Sequence, residues 1–109
     1  MRTLEFVADG QKLAKKDSCN FDGIVSGTKG YLKAKFDVSS DWKGCGIVAI
    51  FSSLKAGEKG VIVDSGECII PPEVLTGSEW SVRMVGVRTG YRITTNKYVV
   101  AQERVRAIE

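Results

Sequence analysis

Few side chains in this 109-residue sequence could do chemistry, and their types and spacing exclude most of it. There is no histidine. That removes Ser-His-Asp and Cys-His nucleophiles, histidine general bases and histidine-ligated metals together. The three cysteines, Cys19, Cys45 and Cys68, are an odd number without a Cys-x-x-Cys pair, so neither a disulfide framework nor a zinc site is expected. A reactive cysteine needs a cationic or helix-terminal setting that lowers its pKa. Only Cys19, beside Asn20 and Asp22, lies outside a strand-like run, and no reactive role is expected for it. Asp37 and Asp41 could in principle work as acid and base. They flank a serine-bearing turn, however, where carboxylates ordinarily accept hydrogen bonds from backbone amides. Ser26-Gly27-Thr28-Lys29 lacks both the glycine-lysine order and the following helix of a phosphate loop. The expectation is a non-enzyme with no catalytic residues, no cofactor and no metal.

Binding is a different matter. Tyr31, Trp42, Trp80, Tyr91 and Tyr98 would offer a platform for sugars if several shared one exposed face. The net charge of +3 is mild, and its excess sits in the first half of the chain, mainly as Lys12, Lys15, Lys16, Lys29, Lys33 and Lys35. A nucleic-acid surface needs such charges gathered on one face with aromatic or arginine side chains reaching the bases. Lysines at alternate strand positions more often form the solvated face of a sheet, and edge lysines discourage edge-to-edge aggregation.

The elements that must position these residues are short strands. At 43% hydrophobic and 27% charged, the composition is that of an ordinary globular protein. The length suits a single domain over residues 1–109 with its own core. Thr3 to Ala8 alternates, with Leu4 and Phe6 inward, and Asp9-Gly10 turns the chain. Residues 11–29 hold several glycine turns around Ile24-Val25 and read as a loop or hairpin. From Tyr31 to Val38, Leu32, Ala34, Phe36 and Val38 share one side and Tyr31, Lys33, Lys35 and Asp37 the other, the pattern of a half-buried antiparallel strand. Cys45 to Phe51 is apolar on both faces and reads as a central strand. Strands at 60–63 and 67–70 follow, joined by the tight turn Asp64-Ser65-Gly66.

At Pro71-Pro72 the ladder must end, since neither residue can donate a backbone hydrogen bond. Proline opening and glycine closing a short helical turn predict one turn over 72–76 with Gly77 behind it, a corner between two sheets. Trp80 to Val87, Tyr91 to Thr94 and Lys97 to Ile108 supply the last strands, the final one with an extended C-terminal tail. The fold class is therefore all-β, an antiparallel β-sandwich of seven to nine strands with one short helical turn near 72–76. Trp42, Phe51, Cys68, Pro71, Pro72, Leu75 and Trp80 are its expected core and corner residues. Trp42 in particular is expected to plug one end of the sandwich.

In order and spacing, Asp41-Trp42, Ile47 to Phe51, Cys68 to Leu75, Val85-Gly86-Val87 and Arg92-Ile93-Thr94-Thr95-Asn96 form one set. This set resembles a small β-sandwich module of tail, baseplate and head-fibre proteins from phages of Gram-positive bacteria. The resemblance covers about residues 31–100, and the doubled proline departs from it at Pro72. It implies a virion structural protein, such as a small tail or baseplate component or a capsid-decoration or fibre-attachment protein. Such a protein is made in a bacterial cytoplasm and works by assembly with other virion proteins and with itself. The N-terminus has no secretion signal and no apolar stretch is long enough to cross a bilayer, which fits that expectation. Modules of this kind often precede a fibre or receptor-binding part, and here the module is expected to stand alone. Candidate assembly contacts are Val99, Val100, Arg104, Val105 and Arg106 in the terminal segment, because an extended segment can add a strand to a neighbour's sheet edge. A carbohydrate- or host-surface-binding module and a nucleic-acid-binding β-barrel are the alternatives.

Overall fold

A computed structural model describes residues 1–105. It is a β-sandwich of two sheets. Strands β1 (Arg2–Asp9), β2 (Lys12–Lys15), β3 (Leu32–Val38) and β6 (Glu67–Ile69) form the four-stranded sheet, in the order β2-β1-β3-β6. Strands β4 (Gly46–Ser53), β5 (Gly57–Val63), β7 (Glu79–Arg88) and β8 (Tyr91–Thr94) form the second sheet in the order β5-β4-β7-β8. Its fifth strand, β9 (Tyr98–Ala101), also pairs with β7. Two 3₁₀ turns, Ser40–Trp42 and Pro72–Val74, carry the chain between the sheets.

Alternation builds the core. Leu4, Phe6 and Ala8 of β1 and Leu32, Ala34 and Phe36 of β3 meet Ala49 and Phe51 of β4 and Trp80, Val82 and Met84 of β7. Phe6 stacks on Phe36 at 5.3 Å, and Phe51 lies against Trp80 at 6.0 Å. Trp42 plugs the sandwich as expected, its Nε1 donating to the Gly10 carbonyl at 2.9 Å. Its ring lies so close to Gly86 that a Cβ there would sit 2.7 Å from Cε3. Gly86 is therefore the vacancy in β7 into which Trp42 packs. The residues of the expected corner also take their places, with Cys68, Ile70, Val74 and Leu75 in the core cluster and Gly77 at a φ of +77° closing the turn.

The antiparallel expectation needs one correction. β1 and β3 pair in parallel, Arg2 opposite Leu32 through Ala8 opposite Val38. The cause is the segment 16–31. It leaves β2 on one side of β1, crosses the end of that strand and starts β3 on its other side, where the Tyr31 carbonyl accepts a hydrogen bond from the Arg2 amide at 2.8 Å. On the way it buries Ile24 in the core and sets Phe21 edge-on to Phe6. A parallel pair requires a long connection of this kind. A second difference lies at Asp64-Ser65-Gly66. The turn is tight as expected, closed by backbone hydrogen bonds between Asp64 and Glu67; what the sequence did not indicate is that it moves the chain from one sheet to the other, so β5 and β6 lie in different sheets. Cys45 falls just outside β4 and is half-buried.

Candidate interaction surfaces

The residues that might have formed a catalytic site are spent on structure. The Cys19 thiol donates to the Thr3 carbonyl at 3.8 Å and accepts from the Glu5 amide at 3.4 Å. Burial pushes the Cys68 thiol up to about 11, so it stays protonated at neutral pH. Asp37 pairs with Lys16 at 3.1 Å, while Asp41 accepts from Ser39 Oγ at 2.9 Å. Ser26 is buried as a clasp for the C-terminal segment. Its amide donates to the Glu103 carbonyl at 2.8 Å, and its Oγ accepts from the Val105 amide at 2.9 Å.

The aromatic side chains do not share a platform. Both tryptophans are in the core. Tyr31 is exposed, Tyr91 lies under the Arg88 guanidinium at 3.9 Å, and Tyr98 packs edge-on to Phe6 at 6.0 Å.

The two sheets differ on their outward faces. On the four-stranded sheet, strand alternation turns the charged Glu5, Lys33, Lys35, Asp37 and Glu67 outward, together with Thr3, Val7 and Ile69. In the register, Lys35 stands between Glu5 and Glu67. Lys33 Nζ reaches Glu67 at 2.8 Å, and Lys16 reaches Asp37 at 3.1 Å and Glu5 at 3.7 Å. Of the six lysines considered for a nucleic-acid surface, Lys16, Lys33 and Lys35 are thus interleaved with carboxylates. The Lys33 hydrogen bond, then its charge, holds the Glu67 carboxyl below its ordinary value, and the hydrogen bond to Asp37 does the reverse for the Lys16 ammonium.

On the five-stranded sheet the outward residues are Val48 and Ile50 of β4, Ile62 of β5, and Val85 and Val87 of β7. Val48 lies directly opposite both Ile62 and Val85. Val85 is only 8% exposed, yet it is not part of the cluster between the sheets. Its neighbours across the sheet cover it. Ile62, by contrast, is 77% exposed and Val87 51%. Polar residues share this face: Arg83 pairs with Glu58 at 3.6 Å and Ser52 with Ser81 at 2.6 Å, and the register also turns Arg92 and Thr94 of β8 outward. β5 is also an open edge, hydrogen-bonded only to β4 within its sheet.

A cleft of about 600 Å³ wraps over the end of this sheet, between the loop after β4, the end of the proline crossover and the residues around β9. Lys55, Lys97 and Arg104 contribute to its walls, as do Leu54 and Val99.

The terminal segment named from sequence divides. Val99 is exposed and Arg104 reaches the cleft, while Val105 is half-buried against Ser26. Val100 is a correction: at 2% exposure it points into the core opposite Trp80 and cannot meet a partner. The backbone of this segment is also engaged, by β7 and then by residues 24–26. Arg106 lies outside the described residues. The apolar outer face was missed because Val48 and Ile50 read from sequence as the second side of a central strand. The signal was available in Arg83 and Glu58, which mark the same face as reaching water.

Among the described residues no helix is long and apolar enough to cross a membrane. No protein-family model matches the chain, and no curated protein does.

Proposed function

We propose that the chain is a structural component of a phage particle, a small tail, baseplate or capsid-decoration and fibre-attachment protein, that acts by protein–protein assembly and not by catalysis. The observation that carries the assembly reading is the apolar stripe on the outer face of the five-stranded sheet. Val85 is already shielded by its neighbours, while Ile62 and Val87 stand exposed beside it. Contiguous apolar surface on an otherwise polar protein marks a partner. The occupant of this face is a second copy of the chain. A two-fold contact sets the stripe against itself, and closed symmetric pairs are the commonest homo-oligomers.

The place in a virion rests on the ordered motifs, whose residues supply the scaffold such a component needs: Trp42, Phe51, Cys68, Leu75 and Trp80 are core, and Pro71-Pro72 is the crossover. On this reading the protein is made in a bacterial cytoplasm and ends in the particle. Neither alternative gains a specific observation, since both tryptophans are buried and Lys16 and Lys33 are paired with carboxylates.

Mass spectrometry of purified particles from the encoding phage tests the reading, and a chain missing from intact particles sinks it. Light scattering on the isolated chain tests the contact. A dimer that Ile62→Lys converts to a folded monomer is the expected result, and a wild-type chain that stays monomeric at high concentration removes the second copy as occupant.

A further inference from the structure

The cleft at the end of the five-stranded sheet is where hydrogen-bonding capacity is left over. Trp80 is 1% exposed and its indole Nε1 has no acceptor among the described residues; the hydroxyl of Thr76, which lines the same cleft, is likewise buried without a partner among them. Trp42 provides the contrast, since its indole is bonded to Gly10. A buried indole N–H ordinarily finds a partner, and a buried donor left unpaired is destabilising. Two such groups lining one cleft are an anomaly that an incoming acceptor would relieve.

The charge of the walls indicates what kind of acceptor. Lys55, Lys97 and Arg104 face a single carboxylate, Glu79, among the described lining residues. Leu54 and Val99, both exposed, add apolar surface between the cations. Lys97 and Val99 are two residues apart at the entry to β9, so they project to the same side and present a cation and an apolar side chain in succession. The complement is an extended chain that alternates carboxylate and apolar residues.

We propose that this cleft binds an acidic, extended segment of a protein partner. Its carboxylates are held by Lys55 and Lys97, its apolar side chains lie on Leu54 and Val99, and one of its oxygens accepts from Trp80 Nε1 and Thr76 Oγ1. Both orphan atoms are covered in the free protein, so the acceptor reaches them as the segment displaces a lining side chain. The proposal deepens the assembly reading by naming the chemistry of a partner other than a second copy, and it rests on that reading only for the partner's being a protein.

Nitrogen-15 NMR on the full chain tests it, because the two tryptophans give two indole resonances that Trp80→Phe assigns. The probe is a blocked hexapeptide alternating glutamate and leucine, titrated at low salt. The Trp80 indole signal is expected to move downfield and saturate while the Trp42 signal stays in place. The same peptide with glutamine for glutamate should leave both unmoved, and Lys55→Glu combined with Lys97→Glu should weaken binding by about tenfold or more. A Trp80 signal that does not respond at millimolar peptide overturns the proposal. So does an equal response to inorganic phosphate or to a galacturonate oligomer, which would assign the cleft to a small anion or an acidic sugar. The titration uses purified protein, so a null result here leaves the particle measurement intact, and a chain absent from particles leaves a positive titration standing.

Discussion

The two outer faces of this sandwich are built on the same backbone geometry and solve the problem of facing water in opposite ways. The face of the four-stranded sheet is a lattice of alternating charge, with Lys16, Lys33 and Lys35 set among Glu5, Asp37 and Glu67. Each charge has an opposite neighbour, so a partner docking there would have to break ion pairs and desolvate both members. The face of the five-stranded sheet carries a valine–isoleucine stripe bordered by the Arg83–Glu58 and Ser52–Ser81 pairs and by Arg92 and Thr94. Covering it costs little polar desolvation and removes apolar surface from water. On the assembly reading proposed above, the first face remains wet and the second is covered.

The inner side of β7 sets the scale for testing this contrast. Adding a single methyl as Gly86→Ala places a Cβ against Trp42 Cε3 and Cζ3, at 2.7 and 2.8 Å, and against Ile93 at 3.1 Å. Trp42 is buried and tied by its indole to Gly10, so it has no easy retreat. We expect a loss of about 2–3 kcal/mol, the upper part of the range for overpacking, read by urea denaturation. A loss below about 0.5 kcal/mol, the size of an ordinary surface change, would mean that Trp42 is not wedged as described.

A matched pair of substitutions separates the two outer faces directly. Val85 and Val7 both occupy the outward side of a central strand, Val85 beside Val48 and Thr94, Val7 beside Asp37 and Ala14. Val85→Lys takes apolar surface out of the stripe and adds a cation near Arg83 and Arg92. It is expected to cost about 2 kcal/mol, most of a buried valine's contribution. Val7→Lys joins the charge lattice next to Asp37 and should change stability by no more than about 0.5 kcal/mol. Equal costs at the two positions would erase the distinction between the faces.

How much of this was legible in the sequence depends on what each residue's pattern could encode. Period-two alternation marked β1 and β3, the doubled proline with Gly77 marked the crossover, and Trp42 announced itself as a plug by size. Connectivity was less accessible. Strand β3 reads the same whether its neighbour runs parallel or antiparallel, because only side-chain direction is patterned, and the segment 16–31 that decides the matter has no periodicity of its own. The assembly contacts were read from chain position, and position says nothing about facing: Val99 points out and Val100, one residue on, points into the core. The cleft was invisible altogether, since Lys55, Thr76, Trp80 and Lys97 converge only once the sheet is folded. The outer stripe fell between these cases. An apolar run such as Ile47 to Phe51 reads as burial on both sides, although Val48 and Ile50 lie on the outer face of the sheet.

The smallest expected effect concerns what the charge lattice contributes as pH changes. Glu67 is held below its ordinary value of 4.5 by the Lys33 hydrogen bond and charge. A carboxyl whose folded pKa is depressed adds stability above its unfolded pKa, and that contribution is lost as the pH falls through the folded value. Glu67→Gln should therefore lower Tm slightly at neutral pH and converge with the wild type in strong acid. Lys16 has the opposite sign. Its folded pKa is raised above 10.5, chiefly by the hydrogen bond to Asp37, so its contribution is present below that pH and is lost as the pH rises through the folded value. Both groups are exposed pairs, and such pairs are weak and screened by salt. Tm profiles of wild type and Glu67→Gln in low and high salt check this: the neutral-pH gap should shrink with salt and close in acid. A gap that persists in acid would mean that Glu67 acts by packing, and the wet face would then resemble the apolar one more than its charges suggest.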